Sequence, residues 1–457
     1  MFAHQCSALV SVALDASPAA LGLEILGSFG RQSSLGRSTA EMLAGSAGPD
    51  VRLTQLLQTL AQTRHGVLHA RAADWAPLLV SFSQSAELRP AGDAAEGTRR
   101  LSPKRQGATL HALLKEWLGV LPAVGNLNTV AHSEALHAIA MSHVGNGDPT
   151  VQIAALNGLR GFKLAYLQPY MARVLRLADD KTLRGELAAF PLSVKAASLA
   201  RAQDDVTEIA PEHRAELVPL VIRVLFPKLR RKAGRFSGKG STAPARAAIL
   251  NFLAAAEPHE LRTLLELSLG LLLGDAPASL PWRDALGSRG FSFWLSAEAA
   301  PALEGTSMRQ RLGYLNSCED LLGHLGFRAH PFFADLLSIA LFFLERAPVR
   351  EQGEGLAGED PEQIRQIRTQ ALRFVTGTLA RFPALLTPSR AEGAEGAGPQ
   401  ATTPSLATFW TRFLAKMRSL SAFAFTDAAS ARPPPLFDLT LALARSPVLC
   451  RRFLLAE

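Results

Sequence analysis

Apolar residues recur along this chain at the spacing of helices that bury one face. Leu217, Leu220, Val221, Val224 and Leu225 stand at offsets 0, 3, 4, 7 and 8, which is helical periodicity rather than the alternation of a strand. The same stripe returns in Leu261, Leu264, Leu265 and Leu272, and again in Ile364, Ile367, Ala371, Leu372, Val375 and Leu379. Another helix is predicted from about Ala245 to Ala255. Helix pairs following one another at roughly forty residues predict an all-α chain, an α-solenoid in which each pair buries its face against its neighbours.

One segment shows how such a helix begins. In Gly147-Asp148-Pro149-Thr150-Val151-Gln152-Ile153-Ala154-Ala155-Leu156-Asn157-Gly158-Leu159, Asp148 is placed to cap a helix. Pro149 suits the first helical position, where its missing N–H needs no partner. Val151, Ala155, Leu156 and Leu159 share one face. This order is that of many HEAT-type inner helices.

Polar stretches interrupt the periodicity at 84–107, 229–244, 349–362 and 388–404. They are rich in Gly, Pro, Ala or charge and predict surface loops. The third is acidic, with Glu351, Glu354, Glu359, Asp360 and Glu362. The expected organisation is a helical segment 1–83, a polar basic loop 84–107, and a HEAT-like solenoid 108–457 carrying the other three insertions.

Composition supports helices: 48% of the 457 residues are hydrophobic, yet there are only three Tyr and five Trp. The longest apolar run, Pro331 to Leu344, is interrupted by Asp335 and falls short of the ~20 residues that span a bilayer. It predicts a buried helix and no membrane partner. The run Ala8 to Leu14 has no preceding Lys or Arg and ends at Asp15, so no cleaved leader is expected. Cys6, Cys318 and Cys450 are distant and lack ligand spacing, which predicts neither a disulfide framework nor a zinc site.

Charge changes the picture most. Leu217 to Ala256 contains no acid but holds Arg223, Lys228, Arg230, Arg231, Lys232, Arg235, Lys239 and Arg246, eight cations in a chain of net charge +8. The rest of the protein is therefore balanced, and the excess is local. Lys228, Arg230, Arg231, Lys232, Arg235, Lys239 and Arg246 are candidate RNA-binding residues. Guanidinium forks suit phosphate oxygens, glycines admit a close backbone, and Phe236 offers a face to an unpaired base. A solvated loop and a nuclear-import signal are the alternatives for the same residues.

Enzymatic motifs fail on their own residues. The loop Ala233 to Thr242 has Ala233 where a phosphate-binding P-loop needs glycine, and Gly240 where it needs Ser or Thr. His65 and His69 lack the intervening Glu of a zinc hydrolase, and His132 and His137 are five apart. Asp179, Asp180 and Glu186 read as a helix start, with Asp179 or Asp180 at the positive end of the dipole of a helix through Leu183 and Leu187. No catalytic residue, metal, cofactor or small-molecule substrate is expected.

Several segments taken in order resemble the family called down-regulated in metastasis, the very large HEAT-repeat component of the small-subunit processome. They are Gly147 to Leu156, Tyr166-Leu167-Gln168-Pro169-Tyr170, Leu175 to Leu187, Leu217 to Leu229 with the basic loop, and Arg246 to Leu253. Weaker echoes lie at Tyr314 to Leu325, Ile367 to Phe382 and Pro433 to Phe437. The resemblance implies a nucleolar scaffold, needed for processing of the small-subunit rRNA precursor, that is not an enzyme. Its partners would be pre-rRNA or small nucleolar RNA and other processome proteins. Family members are several times longer, so a fragment is expected. The rival reading of the residues is a protein-only solenoid adaptor without RNA contact.

Overall fold

The computed structural model describes residues 49–62, 65–83, 103–190, 192, 209–230, 242–274, 280–347, 361–383, 406–421 and 435–451. Among these residues every regular element is a helix, and the chain is all-α, of the helical-repeat solenoid class. Two compact units divide after Arg246.

Unit 1 contains α1 (Pro49–Ala61), α2 (His65–Ala70), α3 (Ala72–Ser83), α4 (Pro103–Val124), α5 (Ser133–His143), α6 (Pro149–Leu159), α7 (Met171–Ala178), α8 (Leu183–Ala189) and α9 (Pro211–Arg230). Packing runs mostly between near neighbours: α1 on α4, α4 on α6, α5 on α6, α6 on α7, and α7 on α9. Helix α4 begins at Pro103, inside the stretch expected to be a polar loop. Proline at a helix start is favourable, and the apolar face of this helix, Leu113, Leu114, Trp117, Leu118 and Leu121, is fully buried.

Helix α6 is built as its sequence specifies. Asp148 accepts a 2.8 Å bond from the Thr150 amide, with Pro149 first in the helix. Gly158 and Gly161 allow α6 and the turn after it to approach closely: a Cβ would meet Leu121 at 2.9 Å or Leu127 at 2.7 Å. Gln152 is 1% exposed, and its Nε2 donates to the Val144 and Val224 carbonyls at 2.6 and 2.9 Å. One buried amide thereby ties α6 to the end of α5 and to α9.

The acidic residues expected to start α8 do something else. Asp179 closes α7 and accepts from the Lys181 amide at 3.0 Å, while Thr182 is the residue that precedes α8. Asp180 accepts from Lys228. Glu186, 5% exposed at its side chain, receives Arg173 Nε and Arg176 Nε, each at 2.7 Å. A charge satisfied across helices outweighs the fraction of a kcal/mol, roughly 0.3–1, that a helix dipole offers.

Helix α10 (Thr242–Leu253) contains the division between the units. Unit 2 continues with α11 (Arg262–Leu273), α12 (Trp282–Ala285), α13 (Gly290–Trp294), α14 (Ala300–Glu304), α15 (Met308–His324), α16 (Phe333–Arg346), α17 (Pro361–Arg381), α18 (Leu406–Ser421) and α19 (Pro435–Arg445). Here α15 and α16 pack on α17, α13 and α18 on α16, and α17 on α19. Ser307 and Gln310 form a reciprocal capping box at the start of α15.

The stretch Gly326–Arg346 is long and apolar enough to cross a membrane, yet it is a core element: every residue from Asp335 to Leu344 is buried. Asp335 in its middle accepts from Trp294 Nε1 at 2.8 Å and from the Gly287 amide at 3.0 Å. Gly287 has φ +74, a backbone conformation that favours glycine.

Candidate nucleic-acid interface

The acid-free segment begins in α9, whose residues Leu217, Val218, Leu220, Val221, Val224 and Leu225 are all buried. Its cations fall into distinct environments. Lys228 is only 7% exposed and turned inward, its Nζ donating to the Ala178 carbonyl at 2.7 Å and to Asp180 Oδ1. The helix stripe explains this, because position 228 follows Val221, Val224 and Leu225 on the buried face, where a long aliphatic stem packs well. Lys228 is therefore a structural residue, and its expected place at an RNA surface is corrected.

Arg230, the last residue of α9, is exposed, and Arg246 in α10 is half-buried. Arg231, Lys232, Arg235, Phe236 and Lys239 lie outside the described residues, as do 388–404 and the acidic positions 351–360. Helices α9 and α10 enclose 231–241, a slightly shorter span than the 229–244 expected. Glu362 belongs to the first turn of α17 and binds Arg365.

Of the histidines singled out, His69 and His137 have structural partners. His69 Nε2 lies 2.9 Å from Thr129 Oγ1. His132 adopts φ 62 and is exposed, whereas His137 packs edge-on against Phe162 at 5.1 Å, where burial lowers its pKa. Burial also lowers the pKa of His143. No group of three or more His, Cys, Asp or Glu suited to a metal ion occurs among the described residues. Cys318 is buried beside Tyr314, and burial pushes its thiol up to about 12.

Sequence reasoning missed a groove in unit 1 between α4 and α6, of about 690 Å³, lined among others by Lys115, Gly119, Thr150, Asn157 and Arg160. Arg160 and Lys163 are exposed cations at the end of α6. The groove carries no signal in the sequence because Lys115 in α4 and Arg160 just past α6 come together only in the fold.

This all-helical framework, with most of its candidate interface in the segment leaving α9, is matched over residues 109–391 by the family described as U3 small nucleolar RNA-associated protein 20, N-terminal. The chain belongs to this family. The match starts within α4, earlier than the resemblance at Gly147, and runs past the end of α17. The family is a structural, helical one and is not known as an enzyme. It ties the protein to the small-subunit processome and ribosome biogenesis.

Proposed function

We propose that this protein is a scaffold of the small-subunit processome that holds RNA and protein partners during processing of the small-subunit rRNA precursor. The family match over residues 109–391 carries the reading. The partners in this proposal are pre-rRNA or small nucleolar RNA together with other processome proteins, in the nucleolus. We assign the chain, more narrowly, to the down-regulated in metastasis family within this group, with 108–457 as its solenoid region.

The RNA contact runs through Arg230, Arg231, Lys232, Arg235, Lys239 and Arg246, with Lys228 anchoring the root of the segment instead of meeting RNA. What supports this is the exposure of Arg230 directly beyond an inward-facing lysine, in a stretch with no acid to neutralise it. Such contact is driven by phosphate charge and releases counterions, so it weakens steeply with salt. The protein-only adaptor remains the second reading, because Lys228, Arg173 and Arg176 all engage acids of their own chain.

The test is binding of the full chain to structured precursor-rRNA fragments at several salt concentrations, beside a variant with Arg230, Arg231, Lys232 and Arg235 replaced by Ala. Salt-sensitive binding lost in the variant supports the assignment. Equal affinity and equal salt slope for both proteins favour the adaptor.

A further inference from the structure

Phe327 in unit 2 is 59% exposed, as is Phe437, the two most open large apolar side chains among the described residues. Phe327 lies in the 3-10 segment Gly326–Phe332, where side chains three residues apart eclipse one another. Its ring therefore stacks on His330, with centroids 4.8 Å apart and planes 3° from parallel. His330 is itself exposed. Phe382 abuts Phe327 at 6.0 Å and in turn meets Phe333 at 5.4 Å, so the stacked pair stands on a rigid aromatic base.

Two arginines stand next to these rings in the chain. Arg328 follows Phe327 directly, its side chain 42% exposed and 3.5 Å from Glu257, a long surface pair that offsets part of both charges. Arg381, adjacent to Phe382, is exposed and commits one guanidinium nitrogen to the Leu322 carbonyl at 2.7 Å. Its other nitrogens remain as donors directed by that anchor.

We propose that the Phe327–His330 stack is a platform for an unpaired nucleobase of single-stranded RNA, with Arg328 and Arg381 meeting the adjoining phosphates. A flat aromatic face flanked by guanidinium groups complements a base and its phosphodiester, and stacking accepts any base because each has a π-face. An aliphatic peptide side chain would gain only apolar contact from the rings and nothing from the two cations. The choice of RNA as ligand rests on the function proposed above, but the site is separate from the basic segment and is tested separately.

The experiment uses the full chain, a short unstructured oligoadenylate and a duplex RNA, with the variants F327A, F327L and F327W. Because the side chain is exposed, all three should keep wild-type helix content and unfolding midpoint. F327A and F327L should each lose roughly ten-fold in affinity for oligoadenylate while duplex binding is unchanged. F327W should retain affinity, and its added fluorescence should be quenched on binding.

Unchanged oligoadenylate affinity in F327A, or no saturable binding by the wild type, overturns the proposal. Wild-type affinity in F327L with loss in F327A also overturns it, since that pattern marks plain apolar contact of the kind a peptide makes. The basic-segment variant should still show quenching in the F327W background. If that variant alone leaves duplex binding intact, the basic-segment reading fails and the platform stands.

Discussion

In unit 1 the buried carboxylate of Glu186 is met by the guanidinium groups of Arg173 and Arg176, whereas in unit 2 the buried carboxylate of Asp335 is met by the neutral N–H groups of Trp294 and Gly287. The first arrangement supplies opposite charge through two charge-assisted hydrogen bonds. The second supplies dipoles alone at hydrogen-bond distance, and burial pushes the Asp335 carboxyl up to about 6. Two ways of burying an acid thus occur inside one helical-repeat chain. The comparison also explains Lys228: a cation inside a helix stack is kept where a carbonyl and a carboxylate of the neighbouring turn receive it.

The largest expected effect comes from breaking the charged pair of unit 1. Glu186→Gln leaves Arg173, whose side chain is 13% exposed, without its counter-ion. Urea denaturation of the full chain should show a loss of about 3 kcal/mol; a loss below about 0.5 kcal/mol would class the pair with exposed surface bridges and erase the contrast.

The pH dependence of unit 2 is of comparable size. The folded protein holds the Asp335 proton more tightly than the unfolded chain, in which such a carboxyl titrates near about 3.9. Its contribution to stability is therefore fully present below about pH 4 and is lost as pH rises through about 6. Relative to Asp335→Asn, which carries no charge at any pH, the wild type should lose about 3 kcal/mol between pH 4 and 7. A constant difference across that range would show that burial does not hold the proton on Asp335.

Lys228→Met sharpens the contrast between inward and outward cations. It removes the donor from the Ala178 carbonyl, while Asp180, whose side chain is 45% exposed, keeps water as a partner. The expected cost is about 2 kcal/mol by denaturation, with the affinity for structured RNA unchanged. Arg230→Ala should do the reverse: stability within about 0.5 kcal/mol and a shallower salt dependence of RNA binding. Between these in stability effect lies Ser307→Ala, which removes the cap of α15 and should cost about 1 kcal/mol in the same denaturation assay.

Much of the fold was legible because helical stripes are local patterns. The apolar stripes within Leu217 to Leu225, Leu261 to Leu272 and Ile364 to Leu379 are buried as their spacing requires. The start of α6 was equally readable, since Asp148 and Pro149 act within their own turn. The helix starts at Pro103 and Pro361 were hidden inside stretches whose polar composition suggested loops. Lys228 was unreadable as a structural residue, because Asp180 and Ala178 stand some fifty positions away. Phe327 carried no signal either: a single Phe beside a His becomes a platform only when a 3-10 turn eclipses them and Phe382 arrives from another helix.

By itself the sequence determined the helical class, the periodic core faces, the local excess of positive charge and the family to which the protein belongs. These depend on residues close together in the chain or on order along it, where spacing and helix geometry translate directly into structure. Tertiary structure alone decided which charges are spent internally, which acid is met by cations and which by neutral dipoles, and which aromatic rings are left facing solvent. Each of those outcomes is set by groups from separate helices meeting at a few ångströms, where burial raises the cost of an unmet charge and so selects the partner.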